Sequence, residues 1–206
     1  MATKTKAKAD SLLDNAYSSL GLTGQPASAK YAAISGIVGH LAAINAAAKV
    51  DVVTTGAITE RLCILGLDEI KETVHAFGYR KFGRDWKWIG DLLVPGDPYD
   101  LAISVKSYKA KERLLASGTG SLLTPTIGWG LFDDPSEWSA DRTASYLYRG
   151  FVAIYMPADT LVHVSANAKS VTNINGIPLL RDLLTFPENI RNAISAKTNR
   201  VDCRKI

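Results

Sequence analysis

The sequence predicts an α/β fold: a mixed central β-sheet flanked by helices and preceded by a helical N-terminal part. Three observations predict it. Apolar residues recur at helical spacing through the first third of the chain, two short apolar and aromatic runs then meet across a Pro-Gly-Asp-Pro turn, and helix-like and strand-like segments alternate over the rest. A chain of 206 residues is of a size that one core serves. One domain is therefore expected over 1–206, with a helical subregion at 1–57, a core at 58–156 and a helical C-terminal part at 157–206.

The elements follow in order. Over 9–20, Leu12, Leu13, Ala16, Tyr17 and Leu20 form one helical stripe, and Gly21 with Gly24-Gln25-Pro26 separates it from a second helix over 27–48. Residues 58–77 read as a helix restarted at Gly66 with Asp68 as cap, and Gly78 ends it. "WKWIGDLLVP" and "DLAISVKSY" then read as the strands of an antiparallel hairpin, because Pro95 to Pro98 is a strong turn signal. A helix is expected over Lys109 to Ala116, followed by a Gly/Pro/Trp-punctuated functional loop, "SGTGSLLTPTIGWGLFDDPSEW". "DRTASYLYR" returns to helix, "GFVAIYMP" has the length and composition of a buried strand, and the tail from "INGIPLLRDLL" to "NIRNAIS" reads as helical.

Composition narrows the class. With 47% hydrophobic and 21% charged residues the chain is neither disordered nor patterned for a membrane. The longest apolar stretch is interrupted by Ser35, His40 and Asn45, which suits a buried or interface helix better than a span. "MATKTKAKAD" leads into an amphipathic segment and not an apolar one, so a cytoplasmic location is expected. Cys63 and Cys203 form no CxxC, and His40, His75 and His163 form no HExxH, which argues against a zinc centre. The net charge of +4 is compatible with a polyanionic partner. "SGTGS" lacks the length and lysine of a P-loop, so no nucleotide cofactor is expected.

Chemistry concentrates on the hairpin. Side chains alternate along a strand, so Asp100, Ala102, Ser104 and Lys106 share one face while Leu101, Ile103 and Val105 share the other. Pairing across the turn brings Asp91 to the Ser104–Lys106 end. A carboxylate and a backbone carbonyl, that of Val105, are hard oxygen ligands suited to Mg²⁺. A neighbouring lysine orients water or stabilises charge on a phosphate. The bland alternative is a lysine at an exposed strand end.

Gly90-Asp91, a hairpin and then Ser104-Val105-Lys106 resembles the PD-(D/E)XK motif of nucleases that include the type II restriction endonucleases. The resemblance spans residues 58–156 as an architecture and rests on three positions as a motif. It implies a restriction-endonuclease-like core, Mg²⁺ as cofactor, catalytic positions at Asp91, Ser104 and Lys106, and metal ligation by Asp91 and Val105. Two positions depart from the pattern: Gly90 where proline is common, and Ser104 where an acid is usual. A hydroxyl does not replace a carboxylate as a strong Mg²⁺ ligand, so a second acid has to come from elsewhere. Some Ser-X-Lys restriction enzymes carry it about one helix beyond the lysine, but residues 119–121 are Thr-Gly-Ser here. The family's use of the preceding helix points to Glu72, with Glu69, Glu60, Asp100 and Glu112 as alternatives. The ordinary helical reading of Glu72 is an exposed partner for Lys71 or His75.

Ser107, Tyr108, Lys109, Lys111 and Arg113 extend the lysine end with donors for phosphate oxygens. Trp129, Phe132 and Trp138 are open to intercalation or to core packing, tryptophan's commoner use. Asp133, Asp134 and Glu137 read as acceptors for cytosine amino groups or as helix caps. The expected activity is Mg²⁺-dependent cleavage of double-stranded DNA at a short specific site, by a homodimer that cuts both strands of a palindrome. A structure-specific nuclease (a resolvase or nickase) and a non-catalytic DNA-binding protein are the alternatives.

Overall fold

The computed structural model describes residues 2–108 and 124–206. Helix α1 (Ala2–Ser19) buries Ala9, Leu13 and Ala16 at helical spacing and is followed by Gly21, which holds φ 68° in the left-handed region. The expected helix over 27–48 is two helices, α2 (Ala27–Ala32) and α3 (Ile34–Ala48), because Ala33 leaves helical geometry at φ −94°, ψ 13°. No local glycine or proline marks that break. It follows from tertiary anchoring, since the buried Tyr31 donates its hydroxyl to the Leu183 carbonyl at 2.7 Å.

Helix α4 (Val52–Thr73) starts at Asp51, whose carboxylate accepts from the Thr54 amide at 2.8 Å. It buries Ile58, Leu62, Cys63, Leu67 and Ile70 on one side. The helix runs unbroken through Gly66, where a restart was expected, and the subregion boundary at 57/58 falls inside it. Gly66 serves packing: a Cβ there would lie 2.7 Å from the Tyr31 ring and 3.0 Å from Phe186.

The strands are β1 (Arg80–Lys81), β2 (Leu92–Val94), β3 (Gly96–Asp97), β4 (Leu101–Lys106), β5 (Thr126–Gly130), β6 (Phe151–Met156), β7 (Leu180–Asp182) and β8 (Val201–Asp202). Six of them form a mixed sheet in the order β1-β2-β4-β5-β6-β7. The first three pair antiparallel, and β4 to β7 run parallel. In a separate ladder β3 and β8 pair in parallel, so the hairpin turn is docked onto the C-terminal segment.

On one face, Leu101, Ile103, Val105, Ile127, Trp129 and Tyr155 pack with residues of α1 to α4. On the other, Phe151, Ile154, Met156 and Leu180 pack with Tyr146 of α5 (Ala140–Leu147), with Val164, which follows α6 (Ala158–His163), and with Ala168 of α7 (Ala166–Lys169). Helix α8 (Phe186–Ala193) returns to the first face through Phe186 and Ile190. The chain is thus a mixed α/β fold with a helical N-terminal part and helices on both sides of the sheet.

Three expectations fail here. Thr126–Gly130, expected in a loop, is a central strand buried at every residue, and Trp129 is core. Its glycines resembled loop composition, yet parallel neighbours on both sides satisfy its backbone. Leu180–Asp182, expected helical, is a strand fixed by pairing with β6, so the C-terminal part completes the sheet. Trp86 to Ile89, expected in a strand, form a loop carrying a single 3-10 turn at Arg84–Trp86.

Candidate active site

Asp91 immediately precedes β2 and bonds to β4 twice. Its amide donates to the Ile103 carbonyl at 2.8 Å, and its Oδ2 accepts the Val105 amide at 2.8 Å. The carboxylate takes the place of the next ladder carbonyl, which aims it at the end of β4. Lys106 is the last residue of that strand. Its Nζ lies 3.4 Å from Asp91 Oδ2 and 3.1 Å from the Val105 carbonyl. Both side chains are less than a fifth exposed, at 18% and 17%, so solvent screens their attraction weakly.

Lys87 links this pair to α4. Its Nζ stands 3.7 Å from Asp91 Oδ1 and 3.6 Å from Glu60 Oε2. The other oxygen of Glu60 accepts from Lys81 at 2.8 Å. Burial pushes the Glu60 carboxyl up, but the hydrogen bonds and charges of Lys81 and Lys87 outweigh that and hold it below its ordinary value. Cys63 lies beneath: burial raises its thiol well above the ordinary range, and the negative charges of Asp91 and Glu60 raise it further. Two carboxylates and three ammonium groups, drawn from α4, β1, the β1–β2 connection and β4, therefore converge at the carboxyl end of a central strand. Such ends are where α/β sheets place their ligands.

The structure brings Asp91, Val105 and Lys106 together and leaves Glu72 elsewhere. Glu60 and Glu72 share one helix, but twelve residues of rise set them about 18 Å apart along its axis. Glu72 instead accepts the Ala27 and Ser28 amides at 2.5 and 3.0 Å and closes the start of α2. Ser28 and then the Ala27 amide hold its carboxyl below the ordinary value, so this contribution to stability exists above the unfolded carboxyl value and fades as pH falls through the lower folded one. Glu72→Gln is expected to cost about 0.5 kcal/mol at neutral pH, as for an exposed charge at a helix start. The difference should shrink below about pH 4 in urea denaturation series.

Glu69 pairs with Arg191. Asp100 binds Arg200 and the Gly96 amide at the far end of β4, about 20 Å from Lys106. Ser104 is fully buried, and its hydroxyl has no partner among the described residues. Ser107 is half-buried after the strand. Tyr108 lines a cavity of about 420 Å³ beside α3, where burial and then Asp133 raise its hydroxyl value. Lys109, Lys111, Glu112, Arg113 and the helix expected there lie outside the described residues, as does "SGTGS". Asp134 caps the turn at Pro135–Glu137.

Among the described residues no three His, Cys, Asp or Glu side chains gather as a metal cluster. The set at hand is the Glu60 and Asp91 carboxylates with the Val105 carbonyl, all hard oxygen. That set fits Mg²⁺, which is typically held by one or two carboxylates with water completing its shell. Sequence reasoning passed over Lys81 and Lys87 and ranked Glu60 behind Glu72. Lys81 lies in β1 and Lys87 four residues before Asp91, yet only the fold brings their ammonium groups to Glu60.

No protein-family profile, curated protein or solved structure matches this chain.

Proposed function

We propose that this chain is a Mg²⁺-dependent endodeoxyribonuclease on a restriction-endonuclease-like core, hydrolysing phosphodiester bonds of double-stranded DNA. The observation that carries this reading is the Asp91–Lys106 pair, 3.4 Å apart at the end of β4, with Glu60 drawn to the same point through Lys87. Asp91 and Glu60 supply the carboxylates and Val105 the carbonyl that would hold the ion. Bound Mg²⁺ neutralises charge on the scissile phosphate and acidifies its water. Lys106, oriented by Asp91 and the Val105 carbonyl, presents a fixed ammonium to a phosphate oxygen and stabilises the charge that accumulates during attack.

Lys87 sits on both carboxylates and is a positive charge that any bound cation has to contend with. Lys87→Met is expected to tighten Mg²⁺ binding about tenfold by removing that like charge. Calorimetry on the DNA-free protein measures this without relying on turnover. Unchanged or weaker binding would count against a metal between Glu60 and Asp91.

Site-specific cleavage by a homodimer is one form of the activity. Cleavage next to unpaired DNA is the second, and an exposed aromatic loop beside the site favours it. Digesting a long DNA of known sequence with Mg²⁺, in parallel with forked and nicked oligonucleotides, separates them. Discrete fragments would indicate the first and structure-dependent cuts the second, whereas binding without any cleavage would refute the nuclease reading.

A further inference from the structure

Residues 82–91 connect β1 to β2 in a closed loop: the Phe82 amide donates to the Asp91 carbonyl at 3.1 Å, and Lys81 stands opposite Leu92. Ile89 and Gly90 are buried at its base, while every residue from 83 to 88 is exposed. The 3-10 turn at Arg84–Trp86, continued by the Ile89 amide bonding back to Trp86, turns Ile89 inward and leaves Trp86 and Trp88 outside. Their rings lie near parallel, at 28° with centroids 6.5 Å apart, and are 57% and 49% exposed. The other two tryptophans, Trp129 and Trp138, are core residues, so exposure is a property of this loop. In sequence, Arg80, Lys81, Arg84 and Lys87 flank the pair with Asp85 among them; Lys81 and Lys87 are held by Glu60 and Asp91, so the two arginines form the loop's cationic rim.

Exposed paired indoles with a cationic rim match a partner that carries flat rings on a polyanionic backbone. An intact duplex offers the phosphates but covers its base faces by stacking, whereas a single strand offers both. Asp91, at the loop's own base, puts such a strand beside the candidate site.

We propose that Trp86 and Trp88 form a stacking platform for unpaired bases, and that the chain's substrate is DNA with a single-stranded segment next to the bond to be cut. The location of the cut rests on the nuclease reading; the platform does not. Arg80 and Arg84 grip the backbone, the indoles take the bases, and Lys87 joins the platform to Asp91 and Glu60.

The test is a titration of the full chain in EDTA, so that no DNA is cut, with a labelled thymidine single strand, a forked duplex and a blunt duplex. DNA anisotropy and intrinsic tryptophan emission are followed together. Because Trp129 and Trp138 are shielded, quenching reports on the loop. The single strand and the fork are expected to bind about tenfold tighter than the blunt duplex and to quench emission, with Trp86→Ala/Trp88→Ala losing about tenfold per ring and Trp86→Phe/Trp88→Phe staying within about threefold. Blue-shifted emission from the buried Trp129 and Trp138 verifies that the alanine pair is folded, since unfolding would move it to longer wavelength. Equal affinity for single strand and blunt duplex, or alanine-pair binding at the native level, overturns the platform. If Mg²⁺-dependent cleavage persists in that case, only the platform falls; if no DNA binds at all, the nuclease reading falls with it.

Discussion

Asp91→Asn is expected to lower Mg²⁺-dependent DNA cleavage by about a thousandfold, within the range found for loss of a key electrostatic or proton-handling group, while the protein stays folded. The amide oxygen still accepts the Val105 amide that Asp91 Oδ2 holds at 2.8 Å, so the end of β4 keeps its geometry. What disappears is the negative charge. Lys106 retains the Val105 carbonyl at 3.1 Å but loses its counter-charge at 3.4 Å, and Lys87 keeps only Glu60. Because Lys87 is half exposed, its lost pair matters little for stability; the partly buried Lys106 accounts for a cost of about 1 kcal/mol. Lys106→Met should be as inactive by a different route, since its apolar chain fills the same space without an ammonium. Calorimetry separates the two variants: Asp91→Asn should weaken Mg²⁺ binding, and Lys106→Met should leave it intact or tighten it. Folded Asp91→Asn that cuts DNA at the native rate would remove the hairpin from the chemistry.

The hairpin was legible because its signals are local. The turn at Pro95 to Pro98 sets which residues face each other, and Leu92 stands opposite Ile103, which carries Asp91 to Val105 and Lys106 without knowledge of the remaining fold. The acid on α4 was not legible to the same degree. Glu60, Glu69 and Glu72 lie on one helix, and which turn lies beside the hairpin depends on how that helix crosses the sheet. That crossing is fixed by Tyr31 and Phe186 closing on Gly66 and by Leu62, Leu67 and Ile70 entering the core, contacts between segments far apart in the chain. Trp86 and Trp88 misled for a related reason. Alternating aromatic residues suggest a half-buried strand, yet β1 pairs with β2 only at Arg80 and Lys81, and the intervening residues bulge away as a loop. Thr126–Gly130 erred in the opposite direction, since its glycines signal a turn in isolation and close strand packing in the sheet.

Those glycines yield the largest expected effect on stability. In the parallel β4–β5 ladder Gly130 stands opposite Lys106, and a Cβ built on it would lie 2.5 Å from the Lys106 carbonyl oxygen and 2.5 Å from the Phe132 ring. One obstacle is main chain in a central strand, and the other is a fully buried ring, so neither yields by a simple rotamer change. Gly130→Ala is therefore expected to destabilise the fold by about 3 kcal/mol, the upper range for overpacking. Relief requires β5 to move away from the end of β4, which shifts the residue that presents the candidate ammonium. A displacement of about 1 Å there is enough for a loss near a hundredfold, so cleavage per folded molecule should fall together with stability. Gly39→Ala is the control. It is the same substitution at an exposed position of α3 where nothing lies within 4 Å of the added carbon, and it should stabilise by about 0.5 kcal/mol through helix propensity alone. Urea denaturation of both variants should give opposite signs. If Gly130→Ala were destabilised yet cut DNA normally per folded molecule, the backbone at Lys106 would be uncoupled from the chemistry, and the candidate site would have to lie elsewhere than the end of β4.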